Sequence, residues 1–180
     1  MNAANSITTI RILLVPVVIV VLLETEGASA LAAVVFALAA STDGLDGYVA
    51  RSRREVTTFG KVMDPIADKL LIVAALVALV GLDRVAAWVA VVIIARELAV
   101  SGLRIVAGQQ GLVIAASGLG RAKTICQAVA VLALIAASDP DAAWVLALVY
   151  AAVAITIASG FDYFLRFLRG EAAVPGPRAD

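Results

Sequence analysis

The chain contains no histidine and a single cysteine, Cys126. An internal disulfide is therefore excluded, and so is a metal centre built on His and Cys. A metal bound here would meet oxygen ligands, which favours Mg²⁺ or Mn²⁺ over zinc. Charge is scarce as well: Asp, Glu, Lys and Arg are 16% of the 180 residues, and 14 basic side chains balance 14 acidic ones. Without a positive excess there is no electrostatic footprint for a nucleic-acid partner. Residues 1–6 lack a basic side chain, so the positively charged start of a cleavable leader is missing and the apolar run behind it reads as a retained helix.

What fills the chain instead is apolar: 63% of it is hydrophobic, and the mean hydropathy is +1.03. A soluble domain of this size could not hide that much apolar surface. The sequence reads as an all-α integral membrane protein with six transmembrane helices around a polar, cytoplasm-facing cavity. The apolar segments fall at about 5–23, 28–51, 58–82, 85–106, 122–137 and 142–164, each close to the length a bilayer core needs. Pro16 is expected to bend the first. Gly108, Gly111, Gly118 and Gly120 mark a link between the fourth and fifth, and Cys126 sits in an apolar run as a packing residue. Residues 1–169 read as a single six-helix transmembrane domain, and the proline-containing residues 170–180 as a flexible tail. All basic residues but Arg84 lie in or near the connections on one side. By the positive-inside rule, both termini and the cavity then face the cytoplasm of the cell's inner (plasma) membrane.

Between the second and third segments stands the pattern D-G-x-D-G-x-x-A-R-x8-G-x3-D-x3-D, running from Asp43 to Asp68. On a helix, Asp43 and Asp46 are about 60° apart and Asp64 and Asp68 about 40° apart, so each pair makes one acidic patch. Like charges so placed repel, and near lipid they are costly to leave ionised. A hard divalent cation between the two patches would relieve both. Gly44, Gly47 and Gly60 flank the acids where a bulky ligand needs missing side chains.

This stretch resembles the signature of the CDP-alcohol phosphatidyltransferase family of integral membrane enzymes, and every fixed position of that signature is present. The resemblance implies that Asp43, Asp46 and Asp64 hold divalent metal, two ions of Mg²⁺ or Mn²⁺, with Asp68 shared or nearby. It further implies that Asp68, assisted by Asp64, is the catalytic pair, with Asp68 as base for the incoming hydroxyl. Gly44, Asp46, Gly47, Arg51 and Gly60 would shape the site for the cytidine diphosphate part. A homodimer is typical of the family.

The acceptor is read from the remaining cations. A phosphorylated alcohol needs a cationic pocket, which a neutral one does not. Arg104, Arg121 and Lys123 lie around the fourth connection, and Arg96 can join them, though Arg96 and Glu97 can equally form a structural ion pair. Thr9 and Arg11, near the start of the first helix, resemble family positions, while Arg11 also suits snorkelling to head groups. The stretches around 94–104 and 120–124 are similar to the phosphatidylglycerophosphate synthase branch. That likeness implies transfer of a phosphatidyl group from CDP-diacylglycerol to the 1-hydroxyl of sn-glycerol 3-phosphate, with CMP released. An inositol-phosphate acceptor is the nearest enzyme rival. A divalent-cation transporter is disfavoured because the polar groups crowd one side of the membrane.

Overall fold

Short polar turns divide the apolar sequence into rods, and each rod satisfies its own backbone hydrogen bonds as a helix. A computed structural model describes the backbone of residues 3–25, 28–53, 58–109 and 118–169, and the side chains of 10, 12–25, 28–41, 69–109 and 118–169. The chain forms six helices: α1 Ala3–Glu24, α2 Ala30–Arg53, α3 Thr58–Gly81, α4 Ala87–Gln109, α5 Gly118–Ala136 and α6 Ala143–Leu168. No strand occurs among the described residues. α1 continues unbroken through Pro16. Ser29 caps α2, its hydroxyl accepting the Ala32 N–H at 3.2 Å.

Helices α4, α5 and α6 each pass a predicted end by three or four residues. α4 continues through Gly108 to Gln109, α5 begins at Gly118 instead of 122, and α6 extends to Leu168 instead of 164. Glycine costs a helix only about 1 kcal/mol, which packing readily offsets, so these glycines do not break it. The last turns of α6 gain from the Asp162–Arg166 pair, one helical turn apart at 3.1 Å.

α5 packs on α6, α1 on α3 and α2, and α4 on α6; α3 also touches α2, α4 and α5, and α2 touches α5. Among the described residues, the largest buried apolar cluster lies toward one end of the bundle. It is built from Val18 and Leu22 late in α1, Phe36 in α2, Leu76 and Leu79 late in α3, Ile93 early in α4, Leu134 and Ile135 late in α5, and Val145 early in α6. The outward faces are apolar too: Leu98 is 69% exposed beside Glu97 at 6%, an inside-out pattern that suits lipid surroundings. α5 and α6 are long and apolar enough to cross a membrane, while Ile12–Glu24, Ala30–Ser41 and Lys69–Gly81 are shorter apolar stretches. Both tryptophans, Trp88 and Trp144, stand exposed in the first turns of α4 and α6, as in an aromatic belt, and Trp88 stacks on Tyr150 with ring centroids 6.2 Å apart.

The loops at this end are joined around the C-terminus of α5. Ser29 N–H donates to the Ile135 carbonyl at 3.3 Å. Arg84 Nε donates to the Leu134 carbonyl at 2.9 Å, and its Nη2 to that of Ala137. Helix-end carbonyls lack internal partners and carry partial negative charge, so a guanidinium fork suits them. Asp83 precedes it with φ 55°, a left-handed conformation Asp tolerates. Arg84→Ala should lower the thermal midpoint of the detergent-purified protein by removing charged hydrogen bonds of about 1.5–3 kcal/mol each. A midpoint equal to that of the parent would show that the loop is held by other contacts.

Candidate active site

The signature positions fall on the helix portions flanking one connection. Asp43, Gly44, Asp46, Gly47 and Arg51 lie in the last turns of α2; Gly60, Asp64 and Asp68 lie in the first turns of α3. Thr9 and Arg11 lie early in α1, which packs on both. The side chains of all these residues lie outside the described ones. Among the described residues no group of three or more His, Cys, Asp or Glu is placed to hold a metal ion.

Lys69, the residue after Asp68, is where description of the site resumes. Its ammonium donates to the Ser101 hydroxyl on α4, and Ser101 in turn donates to the Glu97 carbonyl at 2.5 Å. Helix α3 is thereby tied to α4 directly beside the signature. Four residues before Ser101, the Glu97 carboxylate accepts a salt bridge from Lys123 on α5 and a weaker one, at 3.3 Å, from Arg96. The Glu97 and Lys123 side chains are each 7% exposed. A carboxylate this deep persists as a charge only because cations face it.

Helix α6 supplies the opposite wall. Thr156, Ser159, Gly160 and Tyr163 recur at the spacing that puts them on one helix face. Gln127 Nε2 donates to the Thr156 hydroxyl at 2.9 Å, and Ser159 Oγ donates to the Thr156 carbonyl at 3.0 Å. A Cβ added at Gly160 would stand 3.2 Å from Arg96 Cγ, so the arginine stem lies in the space glycine leaves. Arg104 places its guanidinium carbon 5.9 Å from the centre of the Tyr163 ring.

Of the four cations expected to bind substrate in this half of the molecule, Arg96 and Lys123 therefore meet on one carboxylate. Arg104 and Arg121 are exposed and make no ion pair among the described residues. Lys69, Ser101, Gln127 and the α6 face were not singled out from the sequence. A lysine beside a signature aspartate, and polar residues repeating at helical spacing through the apolar 142–164 run, were the available signals.

Over residues 1–158 the chain matches the family described as CDP-alcohol phosphatidyltransferase. It is 41% identical to the CDP-diacylglycerol–glycerol-3-phosphate 3-phosphatidyltransferase of Bacillus subtilis (strain 168), across 91% of this chain and 93% of that one. It is 40% identical to a probable phosphatidylglycerophosphate synthase of Mycobacterium tuberculosis, across 93% and 82%. A Rickettsia felis CDP-diacylglycerol–glycerol-3-phosphate 3-phosphatidyltransferase is 38% identical across 91% and 93%.

The ion cluster can be tested without an activity assay. Removing one partner of a buried pair costs about 3–5 kcal/mol, because the other charge is left bare. Glu97→Ala should sharply reduce folded yield and thermal midpoint, whereas Arg121→Ala, at an exposed cation, should barely move either. Equal midpoints for the two variants would show that Glu97 is not a structural counter-ion.

Proposed function

The chain belongs to the CDP-alcohol phosphatidyltransferase family, and on that premise we propose that it transfers a phosphatidyl group from CDP-diacylglycerol to sn-glycerol 3-phosphate. The observation that carries this reading is similarity along nearly the whole chain to the Bacillus subtilis enzyme, whose name specifies both substrates. In the reaction, the 1-hydroxyl oxygen of the acceptor bonds to the phosphorus bearing diacylglycerol. The bond from that phosphorus to CMP breaks, CMP leaves with the electron pair, and the hydroxyl proton passes to Asp68.

Each group of residues then has a task. Asp43, Asp46, Asp64 and Asp68 form an oxygen-only donor set that fits Mg²⁺ or Mn²⁺, and their backbone positions on adjoining helices α2 and α3 agree with a shared site. Two such ions, when bound, would neutralise the diphosphate and polarise the phosphorus. Gly44, Gly47 and Gly60 leave room for the cytidine diphosphate, and Arg51 offers it a fixed positive charge. Arg104 and Arg121 take the acceptor phosphate, with Thr9 and Arg11 bordering the same opening. Arg96 and Lys123, joined through Glu97, form the positively charged floor beneath them.

All six helices span the cytoplasmic membrane in this reading, in a homodimer whose termini are cytoplasmic. Trp88 and Trp144 mark the outer interface. At 1.5 Å per residue, Arg96 then lies about 12 Å inward from Trp88 and Arg104 about 24 Å inward, near the side from which a water-soluble acceptor arrives. The apolar core fills the outer half of the bundle and offers no polar path through it among the described residues, unlike a transporter.

Incubated with CDP-diacylglycerol and an acceptor panel, the purified protein should release CMP with sn-glycerol 3-phosphate and not with inositol phosphate or serine. Asp43→Asn, Asp46→Asn and Asp64→Asn should each lower turnover by at least about 100-fold, and EDTA should abolish it until Mg²⁺ or Mn²⁺ is added. Full turnover in EDTA would overturn the metal assignment.

Orientation has its own test. In a Cys126→Ser background, Gln109→Cys should be labelled by an impermeant thiol reagent only from the cytoplasmic side, and Ser138→Cys only from outside. The reverse pattern would place the site on the wrong face of the membrane.

A further inference from the structure

Tyr163 lies past residue 158, where the family match ends, on the face of α6 turned toward the α4 arginines. It is 7% exposed, and its hydroxyl is buried without a hydrogen-bond partner among the described residues. A buried phenol normally finds a partner for its oxygen. Among the described residues, what it contributes to its neighbours is therefore the ring, and the charged group over that ring is the Arg104 guanidinium, 5.9 Å from its centre.

Arg104 needs such a support. Its side chain is long, exposed and without an ion pair among the described residues, so no carboxylate restricts where its charge points. The nearest acid in sequence to Tyr163, Asp162, is already paired with Arg166 through both carboxylate oxygens at 3.1 Å. One turn before, Gly160 receives the stem of Arg96, so α6 meets both α4 arginines without offering either a carboxylate. An aromatic face attracts a guanidinium without neutralising it, which leaves the cation's full charge for an anionic ligand.

We propose that Tyr163 is a positioning residue for the acceptor: its ring holds the Arg104 guanidinium ready for the acceptor phosphate, and affinity for the acceptor depends on an aromatic ring at this position. The inference rests on the reading of Arg104 as an acceptor ligand given above. Tyr163 itself touches neither substrate, and the hydroxyl is dispensable to its task.

The test is two-substrate kinetics of CMP release on detergent-purified variants with matched metal loading. Tyr163→Leu should raise the KM for sn-glycerol 3-phosphate by about 3- to 30-fold, the range of a cation–π contact, while KM for CDP-diacylglycerol stays near its starting value. Tyr163→Phe should recover the affinity lost in Tyr163→Leu. Where Tyr163→Leu reduces folded yield, Tyr163→Met fills the same space without a ring and takes its place. In an Arg104→Ala background, Tyr163→Leu should add nothing further, because two residues acting through one contact are not additive. The inference is overturned if Tyr163→Leu keeps the parent's acceptor KM while Arg104→Ala raises it. It is equally overturned if Tyr163→Phe behaves like Tyr163→Leu, or if the two losses multiply in the double variant. An unchanged acceptor KM in Arg104→Ala would overturn the acceptor-site reading itself, and this inference with it.

Discussion

Glu97 is the one buried carboxylate among the described residues, and the arrangement of four helices turns on it. An isolated carboxylate in so apolar a bundle would be untenable, so cations must be carried to it. Lys123 brings α5 and Arg96 fixes α4 at that point, while the Arg96 stem rests where α6 has only Gly160. The Lys69–Ser101 hydrogen bond attaches α3 to the same turn of α4. Contacts gathered around Glu97 on one stretch of α4 thus hold α3, α5 and α6 against it, in a medium where burial of apolar surface gives helices little reason to prefer one another.

The same cluster divides the bundle by depth. Among the described buried residues, on one side lie Phe36, Leu76, Leu79, Ile135 and Val145; on the other lie Glu97, Lys123, Gln127, Thr156 and Ser159. An enzyme that joins a lipid to a water-soluble phosphate needs this asymmetry. The polar half can admit a charged acceptor, while the apolar half packs together the helices whose other ends carry the signature. Leu98, facing outward beside inward Glu97, shows how completely consecutive residues are sorted between lipid and interior.

The six helices were legible because each is an apolar run bounded by charge, proline or polar turns. Their ends were less so: Gly108, Gly118 and Gly120 read as breaks, yet helical packing absorbs their small propensity cost. The signature from Asp43 to Asp68 was legible as a spacing. Pairings across helices were not, because nothing local announces them: Lys123 looked like a cation awaiting a ligand, and its partner lies 26 residues earlier on another helix. The α6 face was a different case, since Thr156, Ser159, Gly160 and Tyr163 recur visibly at helical period. Its meaning came only with its neighbours, Gln127, Arg96 and Arg104.

Arg84, the one basic residue that departs from the charge asymmetry, is bonded to carbonyls 50 and 53 residues later in the chain. A polypeptide is made from its N-terminus, so Arg84 is synthesised before the carbonyls it binds. Until α5 is made, the guanidinium lacks both of these acceptors. The contact is therefore a latch that can close only after the end of α5 exists, and it fastens the α3–α4 turn to a part of the chain made later.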